Sequence, residues 1–416
     1  MSSGSLLASR DFRLLLVGQT TSQLGAQVSA LAIPLLAVLV LGASALEVGL
    51  INAASTLAFA VIGLPAGAWL DRVPRRPVLV ASDVVRAVLL LSIPLAALAD
   101  RLTVAQLVVV SFLGGLARVF FDIGYRTYLP TVIGKDHVLA GNSALELIRA
   151  SGQVVGPGIG GLLITLIGAA NVLLVQVATF LVSALTLQAI RAREAAAAAL
   201  SHRPPLRGQI LEGLEHVWHD RFLRATGLAS AISNVVFAMA SAVMFIFMSR
   251  TLGLSPTAIG VVLAVGAGAV VLGAAVTTAT SRALGSVRVV WVSLAVCMPL
   301  TLVAPLARPG WGGLILLVVG TAAGELGQIV YAISNVSVRQ RICPDRILGR
   351  VNATMTVVVM GLFPAGALIG GVLGNAIGAR ATLLVTAGLS CLAPVVLFAA
   401  LRHTRTVEDL LPGQQE

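Results

Sequence analysis

The sequence offers few groups able to do chemistry, and most of them sit in apolar surroundings. In "LLVVGTAAGELGQIVYAISN" one carboxyl, Glu325, stands near the middle of a long apolar run that holds no basic residue. A charge at the centre of a bilayer costs about 2.5–3.5 kcal/mol on insertion scales, so an acid there is either kept neutral or placed where water can reach it. Gln328 and Asn335 follow at helical spacing and share its side of the helix. Such a carboxyl can take a proton on one side of a membrane and release it on the other. The plainer alternative is a permanently protonated acid hydrogen-bonded between helices.

A second group of charges surrounds "GAWLDRVPRR", with Gly67, Asp71, Arg72, Arg75 and Arg76. An acid at a helix end followed by arginines can form ion pairs that hold one state of a two-state protein and release the other. Asp83 and Arg86, and Arg118 and Asp122, stand one helical turn apart and are expected to join this gate network. The plainer alternative for the arginines is a topology anchor.

Two further patterns are polar or small. "SGQVVGPGIGGLL" carries Gly152, Gly156, Pro157, Gly160 and Gly161 in a segment apolar enough to cross a membrane. Glycines four apart let another helix approach closely, and a proline bends the helix where neighbours re-satisfy its backbone. This stretch is therefore expected to form a seam, with Gly266, Gly268 and Gly273 of "VGAGAVVLG" as its partners, unless it is ordinary small-residue packing. Gln19, Gln23 and Gln27 recur every four residues, and Asn234 and Met239 lie in "SNVVFAMASAVMFIFM". These are candidates for lining a substrate cavity; simple packing is the competing reading.

The elements that position these residues follow from composition. With 57% hydrophobic and 11% charged residues and a mean hydropathy of +0.98, the chain is an integral membrane protein. Twelve apolar runs are long enough to span: 13–40, 45–70, 76–98, 103–124, 142–166, 170–190, 223–250, 256–280, 288–307, 312–336, 351–374 and 380–401. The start lacks the order of a cleaved signal, so the first span is expected to be retained.

With both termini cytoplasmic, the inside segments hold 21 of the 28 basic residues and the outside ones four: Arg101, Arg250, Arg308 and Arg380. This is the positive-inside asymmetry of a plasma-membrane (bacterial inner-membrane) protein. It explains the net charge of +11 without a nucleic-acid partner. The three cysteines offer no plausible extracellular pair, so no disulfide is expected.

Sliding the sequence by 210 residues lays the stretch from Asn142 over that from Asn352, with 12 of 34 positions identical, Gly156/Gly366, Gly160/Gly370 and Gly168/Gly378 among them. The fold class is thus all-α, with twelve transmembrane helices in two pseudo-symmetric six-helix halves. The expected divisions are a first half at 1–190, a cytoplasmic linker at 191–222 with an amphipathic helix near 207–219, a second half at 223–401 and a tail at 402–416. His216 and His219 in the linker lack further ligands, so no metal site is expected there.

Three stretches carry a resemblance. The Gly67, Asp71 and basic turn between the second and third spans resembles the signature of the major facilitator superfamily, with Pro74 where that family usually has glycine. Gly152, Gly156, Pro157, Gly160 and Gly161 match the fifth-helix motif of its antiporter branch. "DVVRA", "FFDIGYRTYLPTVI" and "ILEGLEHVW" resemble the branch that holds macrolide-type efflux pumps and the enterobactin exporter. The arginine motif that many drug antiporters carry in the fourth helix is absent, as is the acid some place in the first.

The resemblance covers nearly the whole chain. It implies a cavity lined by helices 1, 4, 7 and 10, alternating access by a monomer, and export of a small organic molecule such as a drug, antibiotic or siderophore in exchange for protons. Uptake or facilitated diffusion of a nutrient, and a non-transporting scaffold or sensor, remain alternatives. An enzyme is not expected, since no nucleophile elbow or zinc spacing appears. ATP-driven pumping is not expected either, because the sole lysine, Lys135, lacks a glycine-rich phosphate loop, and no bound cofactor is expected.

Overall fold

Within a bilayer every backbone polar group needs an internal partner, which leaves helices as the solution for runs of this length. The computed structural model describes residues 9–194 except Asp71 and Arg193, and residues 214–410. It is all-helical, with no strand among the described residues. In chain order the helices are α1 (Arg10–Leu39), α2 (Ala45–Leu70), α3 (Arg75–Leu98), α4 (Val104–Ile133), α5 (Val138–Ile167) and α6 (Leu173–Ala189). These are followed by α7 (Arg221–Ile246, ending in a π-turn, Phe247–Thr251), α8 (Pro256–Leu284), α9 (Arg288–Leu300, continued by a 3-10 turn, Thr301–Leu306) and α10 (Trp311–Ile342). Two further helices are broken: α11 (Asp345–Gly361 and Phe363–Ile377) and α12 (Ala379–Ser390 and Leu392–Leu401).

A helix stands at each of the twelve expected spans; among the described residues eleven are long and apolar enough to cross a membrane and α6, at 17 residues, is shorter, and most other differences lie at the ends. α4 runs nine residues past its expected end at 124, because Arg126 interrupts the apolar pattern without interrupting the helix. It stops only at Gly134, whose φ of 77° a side chain would resist. Gly168 and Gly378, paired by the internal repeat, end α5 and the second piece of α11 in the same way, at φ 85° and 83°. Of the expected linker helix, residues 214–219 are helical and the rest lies outside the described residues.

The chain forms two compact units: Met1–Ala199 with Leu254–Ala264, and Leu200–Gly253 with Val265–Glu416. In the first, α1 packs on α5 and α6, α2 on α4, and α3 on α4 and α6. Phe12, Leu15, Leu79, Phe121 and Tyr128 fill its buried core. In the second, α7 packs on α11 and α12, and α9 on α10, around Phe222, Leu223, Leu294, Tyr331 and Leu397. The repeat in sequence is thus a repeat in packing. Residues 402–410, within the expected tail, dock on the start of α9: the Arg405 carbonyl accepts from the Val287 and Arg288 amides at 3.0 and 3.2 Å. Asp409 in turn accepts from the Thr406 and Arg405 amides, which hold its carboxyl below the usual range.

Candidate functional site

In the second unit, α10 meets α9 along Gly320, Gly324 and Gly327, where a side chain would run into Ala304, Thr301 and Cys297. Glu325 points off this face. Its Cγ lies 3.8 Å from the position a Cβ would take at Gly266 of α8. The residue is partly exposed and makes no hydrogen bond or ion pair among the described residues. Tyr331, 4% exposed, donates to the Thr226 carbonyl at 2.9 Å and lies 2.7 Å from the Ser230 hydroxyl, which pins α10 to α7. Gln328 and Asn335 lie one turn to either side of Tyr331, and Asn234 one turn beyond Ser230. The side-chain oxygens of all three are buried without a hydrogen-bond partner among the described residues. Met239 is a packed position rather than a lining one: it is buried, with its backbone against Gly370 of α11.

In the first unit, the glycine motif of α5 turns out to have two faces. A side chain at Gly156 would meet Gln27 of α1, with Cγ at 2.8 Å, and one at Gly160 would come within 3.3 Å of the Val28 Cα. Gly152 looks toward Gln23 at 3.8 Å. Pro157 and Gly161 face the start of α8, where Gly161 and Gly260 each leave only 3.1 Å between a built Cβ and the other's Cα. The hydroxyls of Thr165 and Thr257 hydrogen-bond beside them at 2.8 Å. The expected partners of this motif therefore need correcting. Gly266 and Gly273 look toward α10, Gly268 meets nothing within 4 Å, and the residue that meets α5 is Gly260. Positions 152, 156 and 160 and positions 157 and 161 are two rows about 100° apart on one helix, so a single small-residue stretch serves two neighbours. In the second unit Gly366 and Gly370 repeat the first row, against Val235 and Met239 of α7.

The charges expected to form one gate network form three groups. At the start of α3 the backbone amides of Arg75 and Arg76 both donate to the Glu194 carboxylate at 2.8 Å, and the Arg76 guanidinium reaches the Gln188 carbonyl. Glu194 thus caps a helix from 118 residues away and places a negative charge at its positive end. Asp83 and Arg86 form an ion pair inside the unit, with the guanidinium 4.4 Å from the Phe121 ring centroid and 4.2 Å from that of Phe180. Burial and two aromatic faces make this pair a brace among α3, α4 and α6. Arg118 and Asp122 pair at 3.4 Å on the exposed side of α4. Arg72 is exposed, Gly67 has open space beside it, and Asp71 lies outside the described residues.

Residues 15–362 match the family model of the Major Facilitator Superfamily. The chain belongs to the major facilitator superfamily. It is 30% identical over 386 residues to the multidrug efflux pump Tap of Mycolicibacterium fortuitum, covering 89% of this chain and 91% of the pump. Identity is 27% over 388 residues to Tap of Mycobacterium tuberculosis, covering 90% and 89%. Among solved structures, the nucleoside transporter NupG aligns with a TM-score of 0.72 at 13% identity, covering 95% of this chain and all of that one. A bacterial homologue of the iron transporter ferroportin, in an inward-facing state, aligns at 0.73 and 18% identity, covering 94% and 98%. At such identities the structures establish the fold alone.

Three residues of this superfamily member escaped the sequence reading. Glu194 sits in a charged linker whose acids have no fixed spacing to their targets. Gly260 is isolated in "PTAIGVV", and Tyr331 reads as an apolar aromatic in an apolar run. Only Tyr331 left a signal, since a buried phenol in a membrane helix generally needs a hydrogen-bond partner.

Proposed function

We propose that this transporter exports an organic small molecule in exchange for protons. Both termini lie in the cytoplasm, the plasma membrane holds the protein, and a single chain does the work. The similarity to multidrug efflux pumps over about nine-tenths of both chains supports a drug-like substrate. The observation that carries the coupling is Glu325: a carboxyl in mid-span, beside Gly266, with no ion pair among the described residues. When water reaches it, the acid can lose its proton; when apolar surroundings close over it, the neutral form is favoured. Gln328, Asn335 and Asn234 carry the polar contacts to substrate on the same unit.

The start of α3, with Arg75, Arg76 and Glu194, belongs to the gate, together with Asp71 and Arg72. The row formed by Pro157, Gly161 and Gly260 lets α5 and α8 slide with little side-chain obstruction. The test is transport in inside-out vesicles, with a panel of dyes and antibiotics, before and after a pH gradient is imposed. Gradient-driven movement of at least one compound supports the reading, and indifference of every compound to the gradient opposes proton coupling.

A further inference from the structure

The exposed surface of the first unit is of two kinds, and only one of them suits lipid. On α5, Leu147, Val155, Leu162 and Leu166 form an exposed apolar row. On the opposite side Asn142, Glu146, Arg149 and Gln153 form a polar row, at steps of four, three and four residues. The neighbouring helix α4 shows the same contrast. Val109 and Leu113 are exposed on one side of it, and Arg118, Asp122 and Arg126 on another, the step from Leu113 to Arg118 turning about 140° around the helix. Arg118 and Asp122 are 72% and 55% exposed, and Arg149 and Glu146 47% and 63%.

Ionisable side chains facing lipid are unfavourable, at a cost that grows with depth and reaches about 2.5–3.5 kcal/mol each at mid-bilayer, and the opposite, apolar face of α5 carries none of them. The polar rows therefore face water. Farther along α5 the same side is occupied by Pro157 and Gly160, which are packed against α8 and α1. The row is closed at one end of the helix and open and charged at the other. The open end is the one that adjoins the basic loops, the cytoplasmic end in the proposed topology.

We infer that the polar rows of α4 and α5 line a water-filled inlet that receives zwitterionic compounds, those carrying both a protonated amine and an acid group. The inference rests on the transport reading above. Its chemistry is the alternation of sign. Arg118 precedes Asp122 by one turn, and Glu146 precedes Arg149 by one turn, with the Arg149 Nε donating to the Glu146 carboxylate at 2.9 Å. Arg126, near enough to Glu146 for their charges to interact, has no hydrogen bond or ion pair of its own among the described residues. Residues one turn apart stand about 5–6 Å from each other. An entering molecule with an amine and an acid at that separation can exchange an internal pair for two external ones without leaving a charge unpaired. A strip of carboxylates alone would favour cations, and one of arginines alone would favour anions.

The test uses the full chain with its three native cysteines replaced, in inside-out vesicles without a pH gradient. Gln153→Cys reports on the polar row and Val155→Cys, at nearly the same depth in α5, on the apolar one, each treated with a charged, membrane-impermeant maleimide. Labelling at residue 153 should be at least about tenfold faster, because a lipid-facing thiol stays protonated and dry. Norfloxacin, zwitterionic at neutral pH, should slow that labelling, and ethidium, a simple cation, should not. Adding Asp122→Asn and Glu146→Gln should abolish the protection. Equal labelling of both positions, or none at residue 153, would overturn the inlet. Protection by ethidium as strong as that by norfloxacin, or protection by neither, would overturn the ligand class. Because neither a gradient nor Glu325 enters the measurement, its failure leaves the coupling claim untouched.

Discussion

Gly161 of α5 and Gly260 of α8 meet backbone to backbone, each leaving 3.1 Å between a Cβ built on it and the Cα of the other. Neither position can take a side chain without parting the helices, because the nearest atoms are main-chain atoms with no rotamer to adopt. Overpacking of this kind costs about 1–3 kcal/mol. Gly161→Leu and Gly260→Leu should therefore slow transport about tenfold or more at normal expression. Gly158→Ala, in the same motif but with nothing within 4 Å, is the control and should transport like wild type. Equal effects at positions 158 and 161 would show that the motif matters only for helix flexibility.

Glu194→Ala removes the acceptor for the Arg75 and Arg76 amides and should lower stability by about 0.5–2 kcal/mol, the usual worth of a helix cap. Thermal unfolding in detergent reads this directly. Glu194→Gln keeps an acceptor oxygen and should fall between the two. An unchanged midpoint for the alanine variant would mean that water replaces the cap without loss.

Asp83→Ala leaves the Arg86 guanidinium buried without its counter-ion, and breaking a buried pair costs about 3–5 kcal/mol. The double variant Asp83→Leu with Arg86→Met removes both charges and should be markedly more stable than the single one. Arg86→Lys should not rescue, because an ammonium lacks the flat face that lies between the Phe121 and Phe180 rings. If the single and double variants are equally stable, the pair is not a structural brace.

Tyr331→Phe keeps the ring and loses the bonds to Ser230 and the Thr226 carbonyl. Removing a partner from a buried polar group costs about 1–3 kcal/mol. A lower midpoint with a weakened apparent affinity for substrate is expected, since Gln328, Asn335 and Asn234 flank the pin on both helices. A change in stability with transport affinity untouched would separate the pin from the substrate contacts.

The number of helices, their order and the two-fold repeat were legible in the sequence, because hydropathy over a bilayer-length window and an identity shift of 210 residues are both written along the chain. Partner choice was not. The glycines of α5 announce close approach, but two rows one residue apart serve α1 and α8, and small-residue spacing alone does not say which row meets which helix. Asp83 and Arg86 were visible as a charged pair one turn apart. Their separation from the Arg75 and Arg76 group depends on Phe121 and Phe180, which come from two other helices. Glu194 could not be assigned at all, since its targets are amides, which every residue other than proline possesses.

The central claim is that Glu325 carries the coupled proton. The most direct measurement is substrate accumulation in inside-out vesicles under an imposed pH gradient, for wild type and Glu325→Gln side by side, with substrate-for-substrate exchange recorded in the same preparation. The amide mimics the protonated acid, so the account predicts that Glu325→Gln retains exchange and loses accumulation, while Glu325→Asp keeps part of both. Accumulation by Glu325→Gln as steep and as pH-dependent as that of wild type would contradict the account and place the coupling acid elsewhere.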